Sequence, residues 1–220
     1  MFDWASLPRI VPFATYMCFI VLGDVLGRMG WSATELRWLY AVKTLAVVIT
    51  LFIYRRHYSE LAGPRPRASA LLLAAAVGVV VLLLWITLGA GWMVIGQSAG
   101  FDPRTDGVID WSLVAVRLAG GALVVPLMEE VFWRSFLMRW LCDTNFLQVD
   151  PRRVNVRIFI ATVILFGFEH NLWLAGIVAG AAYSFLYMRS RSLWSPILAH
   201  TVTNALLGVW IIFTANWTYW

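Results

Sequence analysis

Seven long apolar stretches divide this chain of 220 residues, at about 10–29, 37–54, 68–96, 111–138, 156–170, 172–188 and 193–213. A helix needs about 20 mostly apolar residues to cross the hydrocarbon core of a bilayer, which is about 30 Å thick. We therefore predict an all-α fold: a polytopic membrane bundle of seven transmembrane helices, forming a single integral membrane domain over residues 1–220. Eight helices are the alternative if 68–96 or 111–138 contains a break, for which the candidates are Gly89, Gly91, Gly120 and Gly121.

The composition excludes an ordinary soluble domain. Hydrophobic residues make up 61 % of the chain and charged residues 13 %, whereas soluble domains average about 45–50 % and about 25 %. The same numbers exclude a disordered chain. The net charge of +5 does not indicate a nucleic-acid partner, because the cations gather in short connecting segments. We expect the lipid bilayer, and not nucleic acid, to surround most of this surface.

The cations also predict how the bundle is oriented. Three connections, which follow the second, fourth and sixth apolar stretches, hold ten of the seventeen Lys and Arg residues: Arg55, Arg56, Arg65, Arg67, Arg139, Arg152, Arg153, Arg157, Arg189 and Arg191. By the positive-inside rule these connections are cytoplasmic. With seven helices, the N-terminus is then cytoplasmic and the C-terminus lies on the opposite side.

Ionisable residues inside the apolar stretches are few, and each is a candidate functional residue because burying it in hydrocarbon costs ~2.5–3.5 kcal/mol. Three clusters stand out: Glu129-Glu130-Val-Phe-Trp-Arg134, Phe166-Gly-Phe-Glu169-His170 and His200-Thr-Val-Thr-Asn204. Residue counts from the predicted cytoplasmic ends place the three clusters at comparable depth, so we predict that they form one site. Asp24, Arg28, Lys43 and Arg117 lie outside these clusters.

The spacing within the clusters predicts which side chains meet. Glu130 and Arg134 are four residues apart, so they share a helix face and can pair. Glu129 projects ~100° away from Glu130 and faces a different environment. Neighbouring carboxylates with different partners acquire different proton affinities, which suits a base beside a structural anion. The spacing leaves open which glutamate is the base. His200 and Asn204 also share a face and can address one ligand atom.

These groups favour hydrolysis of an acyl bond. A carboxylate with an imidazole can activate water, while an amide and a second imidazole can hold an oxyanion. A zinc-dependent membrane metalloprotease is an alternative, because two His and one Glu form a known zinc ligand set, although the His-Glu-x-x-His spacing is missing. A non-catalytic membrane scaffold or transporter-like protein is a second alternative, to which Asp24, Arg28 and Lys43 would contribute.

The three clusters, taken in order, resemble the motifs of the CAAX-protease and bacteriocin-processing family of intramembrane proteases, over about residues 111–213. The resemblance implies that Glu129 and His170 activate the attacking water and that His200 and Asn204 stabilise the oxyanion. It gives Glu130 and Arg134 a supporting role, and Phe166 opens the second motif. The first three helices carry no motif that matches.

The longer runs around Glu129 and His170 look similar to a bacterial branch, the CAAX prenyl protease-related proteins that accompany exosortase systems. That likeness implies a bacterial inner membrane with a periplasmic C-terminus, and possible exosortase-system partners. It implies no cofactor, with zinc as the less favoured choice, and a membrane-associated protein or peptide substrate that is cut near its C-terminus. Removal of a C-terminal tripeptide, as in the eukaryotic members, is not expected, because bacteria generally do not prenylate proteins.

Overall fold

The computed structural model describes residues 4–63, 66–96, 98 and 100–220, so Arg65 lies outside the described residues. Seven principal helices follow one another: α1 (Leu7–Arg28), α2 (Leu39–Ile53), α3 (Ala68–Thr87), α4 (Trp111–Trp140), α5 (Val156–Phe168), α6 (Trp173–Ser190) and α7 (Trp194–Thr214). The nearly all-α architecture predicted from the apolar stretches is confirmed. Short 3₁₀ turns lie between several of the helices.

A small hairpin is the exception to the all-α prediction. Strands β1 (Arg104–Thr105) and β2 (Val108–Ile109) pair antiparallel in the connection between α3 and α4. Asp106 and Gly107 form its turn with φ of 51° and 82°, the left-handed backbone that two-residue hairpin turns require. The hairpin leads into Asp110, whose side chain accepts from the backbone N–H groups of Ser112 and Leu113 and caps α4.

Five of the helices are long and apolar enough to cross a membrane: α1, α2 with the turn before it, α3, α4 and α7. The stretch predicted over 68–96 ends as a helix at Thr87, and the one over 111–138 is uninterrupted at Gly120 and Gly121. The number of membrane spans, seven or eight, stays a prediction. Helix α5 has 13 residues, or about 20 Å, which is less than the hydrocarbon thickness.

The helix α4 contains two segments of π-helix, Gly120–Val124 and Val131–Leu137. The wider turn of a π-helix shifts the register of the side chains that follow, and such segments are frequent at functional sites. The second segment begins directly after Glu130. The di-glutamate of the first motif therefore stands where the geometry of the helix changes.

Glycines allow the central helices to approach closely. A Cβ at Gly78 on α3 would collide with the carbonyl oxygen of Ala199 on α7, and one at Gly167 on α5 would collide with Ile177 on α6. Small residues at such crossings are typical of helix packing in membranes. Both crossings lie beside the second and third motifs, so they set the spacing between the helices that carry them.

Large apolar side chains cover the outer surface of the bundle, as expected where lipid replaces water. Exposed examples occur along α2, α3, α5 and α7: Phe52, Ile53, Leu72, Leu83, Ile160, Leu165, Val209 and Phe213. The pair Asp24–Arg28 on α1 forms an exposed ion pair of 2.8 Å, which confirms that these two residues contact each other at i, i+4 spacing.

A buried polar cluster joins the N-terminal end of α1 to α4. The Arg9 guanidinium is almost fully buried and donates to Glu60 from Nε (3.0 Å to Oε1) and Nη2 (2.6 Å to Oε2). Glu60 also accepts from the hydroxyl of Ser135, which in turn accepts from Nη2 of Arg139 at 2.8 Å. This cluster ties the first helix, which carries no motif, to the helix that carries the first one.

Candidate active site

One cavity brings together the residues that the sequence places in a single site. Its volume is about 220 Å³, and Glu129, Phe166, His170, His200 and Asn204 all line it. The structure therefore brings residues of all three motifs together at one cavity, as the sequence predicts. The rest of the wall is largely aromatic, from Tyr16, Tyr40, Trp85, Tyr183, Tyr219 and Trp220.

The two neighbouring glutamates have different surroundings, as the spacing predicts. The side chain of Glu130 is 0 % exposed, and its Oε1 lies 3.2 Å from Nη1 of Arg134 and 3.0 Å from Nδ1 of His200. Glu129 is 4 % exposed and faces the cavity, and its Oε2 has no hydrogen-bond partner among the described residues. Oε2 of Glu130 also has no such partner, but Glu130 does not line the cavity.

Arg134 is fixed between the motifs rather than presented to the cavity. Its guanidinium lies over the ring of Phe166, 4.1 Å from the centroid, and 5.6 Å from the centroid of Tyr183. Nη2 donates to the carbonyl of Gly180 on α6 at 3.4 Å. The pairing with Glu130 that the i, i+4 spacing predicts is confirmed. Phe166 is almost fully buried and supports this guanidinium from α5.

His170 lies beyond the end of its helix, whereas the sequence predicted a helix through residue 170. Helix α5 ends at Phe168, and His170 lies in the tight turn into α6, directly after Glu169. The segment before β1 covers this turn: the backbone N–H of Ile95 donates to the carbonyl of Asn171 at 2.8 Å, and Trp173 donates to the carbonyl of Trp92 at 2.9 Å. The backbone carbonyl of Asn171 in the turn is thereby satisfied.

The hydrogen bond of His170 fixes its tautomer. Nδ1 lies 2.8 Å from the carbonyl oxygen of Phe166, which can only accept, so Nδ1 carries the proton. Nε2 of the neutral ring is then a free acceptor. Trp85 meets the imidazole edge-on at 5.2 Å between ring centres, and Phe166 lies 4.9 Å away. The ring therefore has a fixed position and one nitrogen able to accept a proton or a water.

His200 and Asn204 share the face of α7 that lines the cavity, but each also bonds to α4. Nδ1 of His200 faces Glu130, and the ring stacks on Tyr183 at 4.9 Å between centres. The amide nitrogen of Asn204 donates to the carbonyl of Gly121, in the first π-helical segment, at 2.8 Å. An amide nitrogen has two N–H groups, so the second can still donate to a ligand.

Two residues that touch the motifs had no predicted role. Tyr183 stacks on His200 and donates from its hydroxyl to Thr203 at 2.8 Å. The sequence feature that could have indicated Tyr183 is the spacing of residues on the buried face of α6: Gly176, Ala179, Gly180 and Tyr183 lie at i, i+3, i+4 and i+7. Glu169, within the second cluster, accepts from the indole N–H of Trp133 at 2.9 Å. This bond ties the α5–α6 turn to α4.

The described residues include no group of three or more His, Cys, Asp or Glu side chains arranged to hold a metal ion. Nδ1 atoms of both cavity histidines already contact protein oxygens. Glu129 and the two Nε2 atoms are the donors that a metal would have to use.

The comparisons with known proteins agree with this geometry. Residues 111–206 match the family model described as Rce1-like, type II CAAX prenyl endopeptidase. No curated protein and no solved structure gave a significant match to the chain. Five apolar helices and a cavity lined by carboxylate, imidazole and amide groups define a multi-pass membrane protein with a polar site inside the helical bundle. The match over residues 111–206, which is less than half of the chain, supports membership of the CAAX-protease and bacteriocin-processing family and implies a protease.

Proposed function

We propose that this chain is a glutamate-type intramembrane endopeptidase in which Glu129 is the general base. The observation that carries the proposal is the unpartnered Oε2 of Glu129, buried in the wall of a cavity that it shares with His170. Glu130 is held by Arg134 and His200, which suits a structural anion better than a base. This contrast favours Glu129 over its neighbour on physical grounds, independently of the family resemblance.

In the proposed reaction, one water is the nucleophile. Glu129 takes one proton from the water, whose other O–H donates to Nε2 of His170, and the hydroxide attacks the peptide carbonyl carbon. The second amide N–H of Asn204 and the imidazole of His200 donate to the oxyanion of the tetrahedral intermediate. His200 can donate from Nε2 when both ring nitrogens are protonated. The intermediate collapses as Glu129 gives its proton to the leaving nitrogen and the C–N bond breaks, which yields a carboxylic acid and an amine.

The experiment uses the full chain, purified in detergent, and a library of quenched fluorescent peptides. We expect hydrolysis by the wild type and its loss in Glu129→Gln and His170→Ala. Glu35→Gln is the matched control, because Glu35 is exposed and bonds only to Ser32 nearby. Hydrolysis that survives in Glu129→Gln would contradict the assignment of the base.

Metal dependence separates the glutamate mechanism from the zinc alternative. We propose that no cofactor takes part, because Glu129 and His170 together can activate water. The measurement is the activity after treatment with a chelator, with metal content determined on the same sample. Tightly held zinc at one equivalent, with activity lost on its removal and restored on its return, would overturn the proposal.

For the substrate we propose a membrane-associated protein or peptide that is cut near its C-terminus, in a bacterial inner membrane and beside exosortase-system proteins. The Arg-rich connections support a cytoplasmic N-terminus and a periplasmic C-terminus. Reporter fusions at each terminus test the orientation, and co-purification from a strain that encodes an exosortase tests the partner. A cytoplasmic C-terminus would contradict the orientation.

A transporter-like role would draw on Asp24, Arg28 and Lys43. The exposed, paired state of Asp24 and Arg28 instead supports a structural role for those two. The test is the cellular phenotype of the variants. Transport would be favoured if Asp24→Asn abolished the cellular role while Glu129→Gln and His170→Ala left it intact.

A further inference from the structure

A second cavity adjoins the candidate active site at the end of the bundle where α1 ends and α2 and α4 begin. Its volume is about 260 Å³, and it shares Tyr40 and Arg117 with the first cavity. Three cations line it: Arg37, Lys43 and Arg117. No acidic residue lines it among those the structure describes.

The three cations have no carboxylate partner within ion-pair distance in the described part of the chain. The Arg117 guanidinium lies over the ring of Tyr40 at 4.1 Å, and Nζ of Lys43 lies over Tyr16 at 3.9 Å. Arg37 donates to the backbone carbonyl of Arg104 at 2.7 Å. The charged ends of these three side chains thus lie against aromatic faces and backbone carbonyls, whereas guanidinium and ammonium groups elsewhere in proteins commonly bind anions.

The carboxylates nearby are engaged elsewhere. Asp102 forms an ion pair with Arg104 at 2.6 Å, and Asp110 caps the first turn of α4. Glu35 accepts from the backbone and hydroxyl of Ser32. Three basic side chains therefore line a cavity whose wall includes no carboxylate from the described residues.

We propose that this cavity binds the C-terminal carboxylate of the substrate, and that Arg117 is its main ligand. The proposal rests on the proposed function and adds a specificity-determining residue to it. The cavity shares the lining residues Tyr40 and Arg117 with the catalytic cavity, and this adjacency favours the end of a peptide over a separate anion. A guanidinium can bind a carboxylate through two parallel hydrogen bonds, and Lys43 lies beside Arg117 in the cavity wall as a further hydrogen-bond donor.

The distance along α4 predicts where the substrate is cut. Arg117 and Glu129 are twelve residues apart, which is about 18 Å along a helix axis. An extended peptide advances about 3.3–3.6 Å per residue. A carboxylate at Arg117 therefore places the bond opposite Glu129 about five residues from the C-terminus of the substrate.

The test compares peptides that are identical except for a free or an amidated C-terminus. We expect amidation to raise KM of the wild type about 10- to 100-fold, because the peptide loses a hydrogen bond to a charged group. Arg117→Gln should raise KM for the free acid by a similar factor and leave KM for the amide unchanged. Arg104→Gln is the control, because Arg104 is a nearby cation that lines neither cavity. When the peptide is lengthened at its C-terminus, the cleaved bond should move toward the new C-terminus, so that its distance from the C-terminal carboxylate stays the same.

Binding separates this proposal from the proposed function. The fluorescence anisotropy of a labelled peptide bound to Glu129→Gln reports recognition without turnover. We expect the peptide with a free C-terminus to bind more tightly than the amidated peptide, even if hydrolysis is never observed. Equal affinity for acid and amide, with Arg117→Gln unchanged, overturns the proposal. The proposal is also overturned if vesicles of an anionic phospholipid displace the labelled peptide while unlabelled free-acid peptide does not. The cavity would then be a site for lipid headgroups.

Discussion

The imidazole of His200 and the carboxylate of Glu130 are in direct contact, with Nδ1 3.0 Å from Oε1. The same carboxylate oxygen lies 3.2 Å from the guanidinium of Arg134, and all three side chains are buried. The first and third motifs are thus joined behind the cavity wall. Glu129, one residue away, is left to face the cavity with an unpartnered oxygen.

Replacing Glu130 by Gln should destabilise the protein. The change leaves the Arg134 guanidinium buried without its anion, and breaking a buried pair by removing one partner costs about 3–5 kcal/mol. We expect a lower Tm in detergent together with lost activity.

The double variant Glu130→Gln with Arg134→Met removes the unpaired charge. Much of the stability should then return, while activity stays low because His200 has lost its partner. A Glu130→Gln chain as stable as the wild type would contradict the structural role given to this glutamate.

Glu60 should make stability depend on pH in the acid range. Burial raises the pKa of this carboxyl, but hydrogen bonds from Arg9 and Ser135 outweigh burial and hold the pKa below the ordinary 4.5. A depressed pKa in the folded state stabilises the protein above the unfolded value, and the contribution is lost as pH falls below about 4.5 through the folded value. We expect Tm to fall there.

The matched variant is Glu60→Gln, which cannot titrate. Its Tm should be lower than that of the wild type at neutral pH and should change less between pH 5 and 3. Parallel curves for the two proteins would show that the Arg9–Glu60 pair does not contribute as described.

A methyl group at Gly167 should separate α5 from α6. The added Cβ would collide with Ile177, and overpacking of this kind typically costs about 1–3 kcal/mol. Since His170 follows three residues later, we expect Gly167→Ala to lower activity as well as Tm. Gly27→Ala is the control, because Gly27 lies in α1 with open space around it, and a helical Gly→Ala change stabilises by up to about 1 kcal/mol. Equal effects of the two variants would contradict this crossing.

Much of the helical framework and the grouping of the motifs could be predicted from the sequence. Six of the seven apolar stretches match helices to within about three residues at each end, because lipid requires long apolar segments. The helix predicted over 68–96 instead ends at Thr87. The i, i+4 spacings correctly predicted the Glu130–Arg134 and Asp24–Arg28 contacts. Both features are local or periodic, which is why sequence alone reveals them.

Features that depend on tertiary contacts could not be predicted. Arg9 and Glu60 are 51 residues apart, and no periodicity links a residue of α1 to a short connecting turn. The early end of α5 depends on the segment around Trp92 and Ile95, which covers the turn. The π-helical segments shift the register of α4 through its packing, and the second begins directly after Glu130.

The measurement that tests the central claim most directly is the turnover of Glu129→Gln, determined beside its Tm. The amide keeps the size and hydrogen-bonding capacity of the carboxylate but cannot accept the proton. Folding should survive, because a neutral amide is less costly to bury than a carboxylate. We predict a kcat about 10²–10⁴-fold below that of the wild type, with Tm unchanged or raised. A Glu129→Gln enzyme that turns over at the wild-type rate, with Glu130→Gln stable and inactive, would contradict the account and reverse the roles of the two glutamates.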